Sequence, residues 1–566
     1  MPPKFFYKSA NTKTANTKSK SSQSSVIPSI FVPTEEYLET VRAVAYLGKK
    51  GYTIPKSVLL PEDYAYLKKE LFVKPVIMGQ AQEEGAFSVY RENDAKIYLP
   101  RFYGIHRYGL PGRSEIQEGE EVDIDFVGDL RDYQQNIVKT YVDHCRKPIC
   151  RRSTNCDSGS TNCGGGGILE VPCGRGKTVM GLKIITALCS EKSKGKKTII
   201  LVHKEFLMNQ WIERIADFLP SARVGKIQAN KLEIEGKDIV LGMIQTLFSR
   251  DFPANTFDSF GLLIIDEVHH IGSEMFSKTL LKIVTPYVLG ISATVERKDK
   301  LTKVLYMFIG PKIYSEERKQ DDAVMVHGIY YKTTDEEFSE TEYDWKGQPK
   351  YSTMISKICN YGPRSDFIIR VLTDVLESYC SEDKGQVMIL SHNRSLLTYL
   401  YNAIEYKKIA SVGFYVGGMK ERDLKETEEK KIVLATYSMA AEALDIKTLS
   451  ILIMATPKKD IEQSVGRILR VKHENPIVID IIDPHPLFQN QWQTRKRFYK
   501  KCNYGILTID SSKYKGMLKE DGWNNVHSPI VCQQDTSDLV EEIAEGEGDI
   551  EEESVQPSSR LARYMA

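Results

Sequence analysis

The chain has 566 residues, 41% of them hydrophobic and 27% charged, with a formal net charge of +1. That length exceeds one hydrophobic core, so about two to four domains are expected. Apolar runs such as GLLIIDE and ILIMATP are far too short to cross a bilayer, and the first residues lack the apolar core of a secretion signal. A membrane or exported protein is therefore excluded from the expectation, and the ten cysteines read as mostly free thiols in a reducing interior.

In chain order, residues 1–33 read as a disordered basic tail rich in Ser, Thr and Lys. Residues 34–127 mix helical stretches with short alternating runs, AFSVYREND and KIYLPRFYG, and read as a small α+β accessory module. Within it, RFYGIHRYGLP interleaves aromatics with Arg101, His106 and Arg107, which suits either base stacking or an ordinary hairpin. Cys145, Cys150, Cys156 and Cys163 fall in a Ser/Gly-rich insertion at spacings without a C-x-x-C knuckle, so a loop of free thiols is expected rather than a zinc site.

From residue 128 to 330, apolar β-branched runs alternate with helical patterns: ILEV (168–171), TIILVH (198–203), DIVLGMI (238–244), GLLIIDE (261–267) and YVLGISA (287–293). A polar, charged stretch at 331–360 reads as a linker or surface excursion. A second series then spans 361–510: QVMILSH (386–392), GFYVGG (413–418), KIVLAT (431–436), ILIMAT (451–456) and PIVIDIID (476–483). Continuous apolar strands between helices predict parallel sheets covered on both faces, here two in tandem. The segment WQTRKRFYKKCNYGI (492–506) is basic and aromatic, and nucleic-acid contact there is one of two even readings. Residues 511–566 form an extension whose stretch 533–559 holds ten acids and no base. The rest of the chain is thus left with an excess of base, which suits a polyanionic partner as well as it suits an enzyme with a solubilising tail.

The chemistry centres on VPCGRGKT, Val171 to Thr178. A strict phosphate-binding loop has glycine where this chain has Val171, but an apolar strand precedes the turn and an amphipathic helix follows Lys177. Gly174 and Gly176, with Arg175 between them, allow backbone N–H groups to turn onto a phosphate, and the helix N-terminus adds positive partial charge. Lys177 can then reach terminal phosphates, and the Thr178 hydroxyl can ligate Mg²⁺. A carboxylate at a strand end completes such a site. LLIIDEVHH supplies Asp266, expected beside the metal, and Glu267, expected to polarise water; adjacent His269 and His270 do not make a metal site by themselves.

The ordered series LRDYQ, PCGRGKT, LVHKEFLMNQW, MIQTL, DEVHH, ISAT, QVMILSH, ATYSMAAEALDI and QSVGRILR, spread over residues 130–483, resembles the superfamily 2 DExH helicases. It is most similar to the nucleic-acid-dependent ATPases of large DNA viruses and phages, including the poxvirus transcript-release helicase. In that family the phosphate loop commonly keeps only its later glycines, so Val171 is tolerated. The resemblance implies an α/β fold of two tandem RecA-like parallel-sheet domains preceded by the small α+β N-terminal module. It implies ATP and Mg²⁺, with Gln134 reading adenine, and Gln463, Gly466, Arg467 and Arg470 reaching the nucleotide from the second domain. Arg467 and Arg470 lie three apart on one expected helix face and act as arginine fingers. His203 and Lys204, Gln245 and Thr246, and Thr436 are implied to face nucleic acid. Glu442 and Asp445 link that strand to the nucleotide, with Ala443 where a glycine is often found. The SAT segment, Ser292 to Thr294, couples hydrolysis to domain movement.

The function so implied is an ATP-dependent nucleic-acid helicase working by movement along or unwinding of DNA, with RNA as the second choice and transcription machinery as a further partner. Its expected setting is a host-cell compartment such as the cytoplasm, or a virion. A duplex translocase or transcript-release ATPase uses the same motifs. A DNA-cleaving restriction-type subunit would need a nuclease, and no clustered acids and lysine of that kind follow residue 484.

Overall fold

The computed structural model describes residues 31–75, 85–147, 165–172, 174–189, 194–270, 274–297, 299–316, 324–380, 385–442, 446, 448–465, 476–517 and 522–529. The two expected sheets are both present, with eight strands each. The first runs, in spatial order, Lys231–Leu232, Val224–Gln228, Ile239–Met243, Thr198–Val202, Leu262–Asp266, Tyr287–Ser292, Gly166–Glu170 and Lys312–Ser315. All its pairings are parallel except the terminal hairpin. Its central strands are buried on both faces, so their apolar runs are continuous rather than alternating.

The second sheet runs Val412–Tyr415, Ile432–Thr436, Gln386–Ser391, Leu449–Met454, Ile477–Ile482, Met325–Tyr330, Gly505–Asp510 and Asn524–His527. Met325–Tyr330 pairs parallel with both Ile477–Ile482 and Gly505–Asp510, so residues assigned to the first domain from sequence belong to the second sheet. His327 and Gly328 interrupt the apolar run of that strand, which masks it in the sequence.

Of the 331–360 stretch, residues 339–350 lie at the surface, as an excursion would. Helix Tyr351–Asn360 buries Met354, Ile355, Ile358 and Cys359 on the second core, a helical spacing hidden by its polar surroundings. Before it, Asp344 closes a turn by accepting from the amides of Lys346 (2.9 Å) and Gln348 (2.8 Å). Segment 492–506 is likewise structural in its aromatics. Helix Pro486–Lys501 buries Trp492 and Tyr499, and Arg495 forms a fully buried pair with Asp480 at 2.6 and 2.8 Å. Arg364 and Asp483 make a second such pair at 2.5 and 2.9 Å.

The N-terminal module carries helices Glu35–Val44, Pro61–Glu70 and Arg101–Tyr108 and a five-stranded sheet. RFYGIHRY is a helix, neither a hairpin nor an open stacking surface: Phe102, Tyr103 and Tyr108 are buried. Arg101 donates from Nη1 to the carbonyls of Thr285 (2.7 Å) and Pro286 (3.1 Å), so its charge serves packing against the first sheet. One apolar cluster runs unbroken from Leu38 and Tyr52 of the module to Ile199 and Leu263 of the sheet.

The two sheets meet through helix Glu205–Phe218 of the first and helix Glu421–Glu428 of the second. Asn209 donates to Glu421 at 3.0 Å, Lys425 to Glu213 at 2.8 Å, and Phe206 packs against the second core.

Candidate nucleotide and nucleic-acid site

Every candidate residue of the first sheet lies at or near the C-terminal ends of its parallel strands, where α/β sheets bind ligands. Strand Gly166–Glu170 leads through Val171 into the loop, and helix Lys177–Ala187 follows. Val171 is fully buried in the core beneath the sheet, and its amide donates to Ser292 O at 2.9 Å. The position that a strict motif gives to glycine therefore works here as a core residue.

Gly174 (φ 82°) and Gly176 (φ 79°) hold the left-handed conformations that an L side chain resists. Gly176 also has no room, since a Cβ there would collide with Gln134 Nε2. Gln134 donates from Nε2 to Arg175 O at 2.9 Å, while its Oε1 accepts from Arg131 N at 3.0 Å. Tyr133 adds a hydroxyl donor to the same Arg175 carbonyl at 3.2 Å, and the Arg175 guanidinium lies 3.9 Å over the Tyr133 ring and pairs with Glu316. Gln134 thus braces the loop with both ends of its amide; to read a base it would have to exchange Arg175 O for one.

Lys177 Nζ donates to Glu267 Oε1 at 3.0 Å. Glu267 has φ 50°, rare for a side-chain-bearing residue and characteristic of strained functional positions. Asp266 supports that turn by accepting from Glu267 N at 2.9 Å, and its other oxygen accepts from Trp211 Nε1 at 2.9 Å. Burial, followed by the adjacent Glu267 charge, pushes Asp266 up to about 6. Burial also opposes ionisation of Glu267, but Lys177 and then His269 outweigh it and hold that carboxyl below the usual range. His269 Nδ1 stands 3.2 Å from Glu267 Oε2 and 2.8 Å from Ser292 Oγ, tying the carboxylate to the SAT segment.

The sequence reading assigned no role to Trp211, Tyr133, Glu316 or Glu170. Glu170 accepts from Val295 N (2.7 Å), Ser315 Oγ (2.7 Å) and Lys312 Nζ (2.9 Å), joining the loop's strand to the segment after SAT. Its signal was an acid closing an apolar strand, the same pattern that exposed Asp266.

Of the residues expected to face nucleic acid, Gln245 is exposed and donates to His203 O at 2.8 Å. Lys204 is half-buried at the start of helix Glu205–Phe218, and burial depresses the His203 imidazole to about 4. Thr246 departs from the expectation: it is buried, and its hydroxyl accepts from Ala229 N at 3.0 Å, which anchors the left-handed Ala229. Thr436 is half-buried at the end of its strand, 3.4 Å from Ser438 Oγ. Gln463 has its backbone in helix Glu462–Val465. Gly466, Arg467, Arg470, Ala443 and Asp445, together with Cys150, Cys156 and Cys163, lie outside the described residues, as do the tails. Cys145 is buried at the end of its helix and is not in a disulfide. Among the described residues no helix is long and apolar enough to cross a membrane.

A phosphate loop and a strand-end carboxylate pair on one of two parallel sheets define a phosphate-loop ATPase of the RecA-like class. Residues 128–297 match the family profile described as "Type III restriction enzyme, res subunit", a stretch lying within the first sheet and its helices. A protein of Acanthamoeba polyphaga mimivirus named "Putative ATP-dependent RNA helicase" is 32% identical over 516 residues, covering 87% of this chain and 93% of its own. A "Putative ATP-dependent RNA helicase" of African swine fever virus is 27% identical, covering 61% of this chain and 70% of its own. The "DNA 3'-5' translocase" of Sulfurisphaera tokodaii is 23% identical, covering 68% and 89%. The chain belongs to the superfamily 2 ATP-dependent helicases and is similar to those of large DNA viruses.

Proposed function

We propose that this helicase hydrolyses ATP between Lys177, Thr178, Asp266 and Glu267 to move along a polynucleotide laid across the C-terminal strand ends of both sheets. The observation that carries the reading is the 3.0 Å contact between Lys177 and Glu267, which joins the phosphate loop to the strand-end carboxylate. Lys177 would hold the terminal phosphates, and Glu267 would orient the attacking water. The Thr178 hydroxyl and the Asp266 carboxylate are hard oxygen donors of the kind Mg²⁺ takes, so they would hold that ion. When bound it neutralises charge developing on the phosphates. Gln134 would brace the loop and, by exchange of its amide contact, read adenine. Gln463, Arg467 and Arg470 remain, by family resemblance, the groups that would reach the nucleotide from the second sheet.

His203, Lys204, Gln245 and Thr436 would meet the strand, with Thr246 acting through the turn it anchors. The viral relatives are named for RNA and the archaeal one for DNA. The names divide, so DNA, the first choice from the sequence, and RNA are the two outcomes that one assay separates. ATP turnover measured side by side with single-stranded DNA, duplex DNA and RNA tests it. Stimulation is expected with at least one of them, and no stimulation by any would sink the reading.

A further inference from the structure

We propose that the cleft between the N-terminal module and the first sheet is a second binding site for the phosphodiester backbone of nucleic acid, apart from the strand ends. The cleft encloses about 440 Å³ and is lined from the module by Tyr66, Lys69, Phe72 and Lys74 and from the sheet's helix side by Lys300 and Lys303. Four exposed lysines from two parts of the chain converge on it. Among the described residues of the lining the one acid, Glu70, already accepts from the Tyr103 hydroxyl. Ammonium groups lining one cleft give it a positive potential that a row of phosphates neutralises while releasing counterions. Exposed Phe72, with Lys74 Nζ 6.0 Å from its ring centre, adds an apolar face at the mouth for a sugar or base.

A relay of contacts joins the cleft's edge to the ATP site. Lys300 holds a left-handed conformation (φ 60°) beside Asp299, which grips the Arg297 guanidinium at 2.5 and 3.0 Å. Arg297 in turn donates to the His269 carbonyl, and His269 Nδ1 stands 3.2 Å from Glu267 Oε2. Phosphates drawn to Lys300 and Lys303 would act on the loop that orients the water-polarising carboxylate.

The site rests on the reading that the chain binds nucleic acid, and its test separates the two. Affinity of the full chain for a duplex is measured against salt concentration for the parent, for Lys69→Gln/Lys303→Gln, and for the control Lys139→Gln/Lys407→Gln. Each lost phosphate contact on B-DNA lowers the log–log salt slope by about 0.9, so the cleft variant should be shallower by about 1.8 and the control unchanged. An unchanged slope in the cleft variant, in a parent whose ATPase is stimulated by nucleic acid, overturns the cleft and leaves the strand-end reading standing. A parent that neither binds nor responds to nucleic acid overturns both. A third arm uses inorganic tripolyphosphate: if it binds with the same lysine dependence while duplex affinity is indifferent to the lysines, the cleft is a small-anion site and the proposal fails.

Discussion

Lys177 and Glu267 face each other across the site, ammonium to carboxylate, at 3.0 Å. A base held so firmly ionised is a weak proton acceptor, because efficiency peaks when its pKa approaches the working pH. A phosphate that takes Lys177 away removes the first influence holding Glu267 down. Arrival of substrate would thus turn an ion pair into a working base. Lys177→Ala should abolish turnover and weaken ATP binding. Glu267→Gln should keep ATP binding and lower turnover by about 10²–10⁴-fold, the usual worth of general-base catalysis. Equilibrium binding of a fluorescent ATP analogue alongside steady-state hydrolysis distinguishes them; Glu267→Gln turning over at the parent rate would remove the carboxylate from its role.

Gly176 gives a steric version of the same test. A methyl group there meets both an adverse φ of 79° and the Gln134 amide. Gly176→Ala should therefore displace Gln134 from Arg175 O and raise KM for ATP by more than tenfold, with little change in the melting temperature of the second sheet. Gln134→Ala in the same background would recover part of the loss if the collision is its cause.

Asp266 should set an acid limb. With its carboxyl raised to about 6, the ionised form able to ligate a cation disappears below that pH, and kcat/KM for ATP should fall tenfold per unit there. The Trp211 hydrogen bond favours the ionised form. Trp211→Phe should move the limb to higher pH. A limb that stays in place or moves lower contradicts this account of the charge.

His327 governs stability rather than turnover. Burial lowers its imidazole to about 4, against an ordinary value of 6.5, so between those values the unfolded chain binds the extra proton. Its contribution to stability is complete above pH 6.5 and is lost as pH falls toward 4, by up to about 3 kcal/mol. Urea unfolding should record that decline, and His327→Leu should flatten it. His392, depressed to about 4 by burial, acts in the same direction.

The sheets were legible because strands buried on both faces must be written as unbroken apolar runs, as in LLIID and IVLAT. The strand at Met325 was not, because one histidine and one glycine break the run, and its partners lie more than a hundred residues further on. At the site, Lys177, Asp266 and Glu267 carry charge at motif spacing and could be read directly. The use of Thr246 could not: its hydroxyl serves Ala229, a turn that no motif marks. Aromatic and basic letters left the role open at 101–111 and 492–506, since composition does not say that Phe102 and Trp492 will be buried or that Arg495 will meet Asp480 inside the fold.

The union of module and motor decides what can be cut or exchanged. Arg101 is spent on Thr285 and Pro286, and Phe102 fills the space beside Gly166. A fragment starting at residue 128 would bare the apolar wall that Leu38 and Tyr52 now continue. One ending at Pro311 would strip the edge strand Lys312–Ser315, whose Lys312 and Ser315 steady Glu170 beside the phosphate loop. For expression the smallest soundly folded piece that keeps the phosphate loop is therefore about 31–316, and the second sheet must be added for hydrolysis. In descent, module and motor should travel as a single cassette, so a hybrid that grafts a foreign head onto this engine would need to import the matching face of the sheet as well.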